Sequence, residues 1–136
     1  MRWITLVAIF VFIALFSGCS NVNEGIYPVR LNCEYMKDPS VVDVRQPNLS
    51  WINLSDKAER NQAQTAMQIR VASSEDKLKT ADLWKSDKIM SNQSNRVIYE
   101  GKNLSSRQEC WWQVRVWDKD GKASSWSQAA SFEIGL

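Results

Sequence analysis

From Val29 onward, apolar and polar residues alternate in short runs broken by turn formers. The runs "VRLNCEYM", "NLSWINL" and "TAMQIRVAS" each put alternate side chains on one face. Leu49 pairs with Trp51 in the second, and Met67, Ile69 and Val71 oppose Gln68 and Arg70 in the third. "RVIYEG", "CWWQVRVWD" and "AASFEIG" follow. A period of two, rich in Val, Ile, Trp and Tyr, predicts β-strands, because successive side chains of an extended chain point to opposite faces. The breaks fall at Asp38-Pro39, Gln46-Pro47-Asn48, Glu100-Gly101 and Asp120-Gly121, all turn-forming pairs. Ser73 to Trp84, "SSEDKLKTADLW", predicts a loop with at most one helical turn, leading into a strand around "LWKSDKI". Six or seven short strands in roughly 105 residues predict an all-β fold, an antiparallel β-sandwich.

The densest aromatic stretch splits cleanly by this rule. Cys110, Trp112, Val114 and Val116 share a uniformly apolar face, which predicts the core. Trp111, Gln113, Arg115 and Trp117 share a mixed face, which predicts the outside of a sheet. "DKDG" then predicts a hairpin loop, with Asp118 and Asp120 as turn residues, and the chain returns through "SSWSQAASFEI".

The N-terminus follows a different pattern. Arg2 precedes an unbroken apolar run from Leu6 to Phe16, which ends at the small residues Ser17 and Gly18. This three-part layout predicts a helical, hydrophobic signal segment over residues 1–18. "LFSGC" resembles the lipobox of bacterial lipoproteins, with Phe16 where leucine is usual, and implies lipidation of Cys19. The alternative is an ordinary cleaved leader with an unrelated cysteine. Residues 19–28 read as a polar tether. The implied destination is export, with an acyl anchor at a bacterial membrane on the periplasmic or cell-surface side.

Charge and residue inventory narrow the function. Without Arg2 there remain 16 basic and 15 acidic side chains, which argues against a nucleic-acid partner. The chain has no histidine, so Ser-His, Cys-His and His-metal chemistry are excluded, and no metal or cofactor is expected. Cys33 and Cys110 could pair in an exported protein, but in the sandwich they fall on strands of opposite sheets that do not usually face each other, which favours two buried thiols.

At this point a resemblance carries weight. Leu104, six residues before the start of the "CWWQVRVWD" strand, with the following polar loop and the Trp126-Ser127 return, resembles the last two strands of a fibronectin type III domain. "LSW" at Leu49–Trp51 resembles an earlier strand bearing its core tryptophan. Together with "LNCEYMKDPSVVDVRQPNLSW" and "QTAMQIRVASS", nearly everything in residues 29–136 resembles the N-terminal domain of bacterial α-L-rhamnosidases of glycoside hydrolase family 78, which implies a fibronectin type III-like, or immunoglobulin-like, sandwich.

The resemblance implies a non-catalytic accessory domain that spaces and supports a catalytic (α/α)₆ barrel. The barrel itself is missing, so no catalytic residue transfers, and the chain reads as a fragment of such a glycosidase. Its implied partners are the remaining domains, the membrane and a glycan. The alternative is a stand-alone carbohydrate-binding or scaffold lipoprotein. Trp51, Trp112, Leu104 and Cys110 are expected in the core. For Trp111, Arg115, Trp117 and Trp126, with Trp84, three readings stand open: a cation–π stack of Arg115 between Trp117 and Trp126, a contact with the next domain, or sugar stacking. Cys110 also takes the position of the family's tyrosine corner. An under-filled corner is expected there, with Cys110→Tyr stabilising by about 1 kcal/mol.

Overall fold

The computed structural model describes residues 25–56 and 61–135. The leader, Cys19 and most of the expected tether lie outside them. Seven strands form: β1 (Tyr27–Cys33), β2 (Asn48–Leu54), β3 (Ala66–Ala72), β4 (Trp84–Lys85), β5 (Val97–Ile98), β6 (Glu109–Trp117) and β7 (Ala130–Glu133). The helical turn is a short 3₁₀ segment, Glu75–Lys77. No helix among the described residues is long and apolar enough to cross a membrane.

The strands make two sheets, ordered β1-β2-β5 and β4-β3-β6-β7, with every named pair antiparallel. This is the expected sandwich. β3 and β6 pair in unbroken register from Ala66↔Trp117 to Ala72↔Trp111 and form the spine of the larger sheet. Met67, Ile69 and Val71 therefore lie beside Val116, Val114 and Trp112, all buried. The facing sheet contributes Leu31, Cys33, Leu49, Trp51 and Val97 to the same core.

The sandwich starts earlier than the polar run suggested. Ile26 is buried, and Tyr27 and Pro28 open β1 opposite Leu54 and Asn53. A register shift between Val29 and Asn32 bends β1, with Arg30 at φ 51°. Beyond β1, the chain crosses to the other sheet. Val42 makes a parallel bridge with Ile134, so the β1–β2 connection closes the gap beside β7.

Candidate functional site: the cation–aromatic face

The outer face of the four-stranded sheet carries an alternating stack. The Arg115 guanidinium lies 5.2 Å from the Trp117 ring centre and 4.8 Å from that of Trp126. Arg70 lies 4.1 Å from Trp126, and Lys88 lies 4.7 Å from Trp117. The order is thus Lys88, Trp117, Arg115, Trp126, Arg70. Register explains the placement. Gln68↔Arg115 and Arg70↔Gln113 are cross-strand neighbours on one face of β3 and β6. Each arginine donates to the glutamine opposite it: Arg115 Nε to Gln68 Oε1 at 2.9 Å, and Arg70 Nε and Nη2 to Gln113 Oε1 at 2.8 and 2.6 Å. Burial, with the charge of Arg115 as a second cause, pushes Arg70 below its usual value.

Trp126 belongs to no regular strand, and serines hold it in place. Ser124 and Ser127 each donate a backbone N–H to β6 and accept one back on the hydroxyl. Ser124 pairs this way with Val116 at 2.8 and 3.1 Å, and Ser127 with Val114 at 2.9 and 3.1 Å. Fixing residues 124 and 127 leaves the indole of residue 126 over the sheet face. Ser86 does the same with Ile69 at the other edge, two residues before Lys88. The short "SSWS" run is therefore a mounting for the stack.

The other aromatic residues separate from this face. Trp111 lies outward but outside the stack, donating Nε1 to Glu109 Oε1 at 3.0 Å. Trp84 packs edge-on to Tyr99 at 5.4 Å, against the core. Trp51 and Trp112 are buried; Trp51 Nε1 donates to Gln64 Oε1 at 3.2 Å, and Trp112 Nε1 is without a hydrogen-bond partner among the described residues. Gln64 was not legible in the alternation. Its amide also accepts from Asn53 and donates to the carbonyls of Ser91 and Gln93, joining β2 to the β4–β5 connection. Asp118 is buried in the hairpin, where its Oδ1 accepts from the N–H groups of Asp120 and Lys122. Among the described residues, no group of three His, Cys, Asp or Glu side chains is placed to hold a metal ion.

The corner beside Cys110 differs from the expectation. Leu104 and Cys110 are both buried, yet the Leu104 carbonyl has a partner, Arg45 Nη1 at 2.7 Å. A buried phenol is also close by. Tyr99 donates its hydroxyl to the Lys102 carbonyl at 2.8 Å, and the Cys110 thiol is near enough to add to the upward shift of its pKa, after burial. Cys110 is itself fully enclosed, and Cys110→Tyr would push a ring into a packed core.

The two cysteines are free and buried. Burial first, then Glu34 and then Cys110, push the Cys33 thiol up to about 12; burial likewise pushes Cys110 to about 12.

A groove of ≈ 750 Å³ runs between β1 and residues 125–130, with Trp126, Arg30 and Lys37 on its walls.

The domain's ancestry follows from comparison. A family model described as the Rha78A-like, N-terminal immunoglobulin domain matches residues 28–136. An α-L-rhamnosidase of Streptomyces avermitilis is 44% identical over 103 residues, which cover 76% of this chain and 10% of that protein. One from Formosa agariphila is 53% identical over 75 residues, covering 54% of this chain and 8% of the relative. Among solved structures, the Streptomyces avermitilis α-L-rhamnosidase complexed with L-rhamnose superposes with a TM-score of 0.78 at 39% identity, over 82% of this chain and 11% of that one. The chain thus spans about a tenth of the length of the relatives it matches. It belongs to the Rha78A-like N-terminal immunoglobulin domain family.

Proposed function

We propose that the chain serves as the non-catalytic N-terminal support domain of an α-L-rhamnosidase, exported and held at a bacterial membrane through lipid on Cys19. The observation that carries this reading is the extent of the match: residues 28–136 fit an N-terminal immunoglobulin domain, and that portion is about a tenth of each rhamnosidase. The cation–aromatic stack acts as an internal brace in this reading. Trp126 is approached by two guanidinium groups and Trp117 by a guanidinium and an ammonium, so both rings already have cationic partners. A sugar-stacking platform needs an open ring face.

Two measurements test the proposal. The purified chain should give no turnover of an aryl α-L-rhamnoside, and its tryptophan fluorescence should not change on titration with L-rhamnose. Trp126 lines the groove, so a sugar bound there would be reported. Saturable quenching would favour the carbohydrate-binding alternative. The anchor is tested separately: a fatty-acid probe should label the protein in bacteria, and Cys19→Ala should reduce labelling to background.

A further inference from the structure

Eight large hydrophobic side chains are exposed among the described residues, and five of them gather at one end of the sandwich. Tyr35 and Met36 lie in the turn after β1. Val41 and Val44 lie in the β1–β2 connection. Ile98 ends β5 opposite Asn48, the first residue of β2. This is also the end at which β7 finishes. The Val42 N–H donates to the Glu133 carbonyl at 2.8 Å, and the Gly135 N–H donates to the Val42 carbonyl at 2.9 Å. Gly135 passes so close that an added Cβ would lie 3.2 Å from Val41 Cγ1. Val41 and Tyr35 are 59% and 61% exposed, although the neighbouring Val42 is buried. A monomeric surface scatters such residues singly; a gathered set marks a contact surface.

We infer that this end, formed by Tyr35, Met36, Val41, Val44 and Ile98, is the docking surface for the polypeptide that follows this domain in a rhamnosidase. The inference rests on the support-domain reading proposed above. The occupant follows from position: the family's domain is N-terminal, and the strand leading onward leaves beside Val41 and Val42. A domain joined directly at Gly135 meets these side chains before any others. Interfaces between domains of one chain bury about 600–1,500 Å², an area that a handful of large apolar side chains and their rim can supply. The cation–aromatic face lies on the flank of the larger sheet, and its members are engaged with one another.

The test places residues 25–136 in the Streptomyces avermitilis enzyme in exchange for the matched region. Amide hydrogen exchange is followed in this chimera and in the free 136-residue chain. Residues 34–46 and 97–99 should exchange at least about tenfold more slowly in the chimera. Val41→Lys with Val44→Lys should abolish that difference and leave the free chain's unfolding midpoint unchanged. Ile52→Lys with Leu54→Lys, exposed at the opposite end of β2, should preserve it. Protection appearing instead on β3 and β6 around Arg70, Arg115 and Trp126 would overturn the inference while leaving the support role intact. No protection anywhere would overturn both. Should the chimera not accumulate, sedimentation of the free chain with the remainder of the same enzyme reads the same contrast. Co-sedimentation lost only in the Val41/Val44 variant supports the inference, and its absence or its loss through other faces overturns it.

Discussion

Replacing Arg115 by methionine isolates the energetic role of the stack. Methionine keeps an unbranched apolar stem against the rings and removes the guanidinium. Three interactions disappear: the approaches to Trp117 and Trp126 and the 2.9 Å hydrogen bond to Gln68 Oε1. Each cation–π contact at a partly exposed site contributes about 0.5–1 kcal/mol. The charged hydrogen bond adds about 1 kcal/mol, at the low end because water reaches Gln68. Relief of repulsion on Arg70 opposes the loss by about 0.5 kcal/mol. The balance is a destabilisation of about 1.5–2.5 kcal/mol. With a urea slope of about 1.5 kcal/mol/M, the midpoint falls by about 1–1.7 M at unchanged slope. A double-mutant cycle with Trp126→Ala separates the ring contact from general packing and should give a coupling of about 0.5–1 kcal/mol. A midpoint shift under about 0.3 M, or a coupling near zero, would refute the bracing role and leave the stack as a coincidence of register.

Four further outcomes follow from the core. Cys33 and Cys110, both pushed to about 12, should resist a thiol reagent at pH 8 until the protein unfolds. Because the unfolded thiols ionise near pH 8.5 and the folded ones do not, stability should fall as pH rises from about 8.5 toward 12, and Cys33→Ala should flatten that decline in urea melts. Gly101→Ala places a methyl group into Trp84 Cβ and the Tyr99 phenol, and should cost about 1–3 kcal/mol by thermal unfolding. Cys110→Tyr should destabilise by a similar amount, since Cys110 is fully enclosed and Arg45 already serves the Leu104 carbonyl; a raised urea midpoint would show that the space is free.

The strands were legible because each carries its own alternation. β6 is the clearest case: Cys110, Trp112, Val114 and Val116 are buried while Trp111, Gln113, Arg115 and Trp117 are partly exposed, as the period of two requires. The 3₁₀ turn and β4 were also readable from local chemistry. What was hidden depends on pairing between distant segments. Arg115 could be placed between Trp117 and Trp126 from one hairpin, but Arg70 and Lys88 join only through the register of β3 with β6 and the return at Ser86. Gln64 lies in an irregular stretch with no period to betray it. The corner was misjudged for the same reason. The Leu104 carbonyl there finds the guanidinium of Arg45, 59 positions upstream, and no motif in the last strands encodes that choice. The thiols were read correctly as buried, since both lie on the apolar face of their strands.

The serine mountings have a consequence for the sheet edges. A regular outer strand offers an unpaired row of amide donors and acceptors on which a foreign strand can grow. At both margins of the four-stranded sheet, the serine hydroxyl takes up a strand N–H and also donates forward, Ser86 to the Asp87 carbonyl, Ser124 to that of Ser125 and Ser127 to that of Gln128. Each such turn consumes an acceptor locally and breaks the extended geometry that an incoming chain would have to match. Residues 123–129 thus run beside β6 without offering a continuous template. The two hydroxyls that flank Trp126, together with that of Ser86, thus also guard the β-domain against edge-to-edge polymerisation.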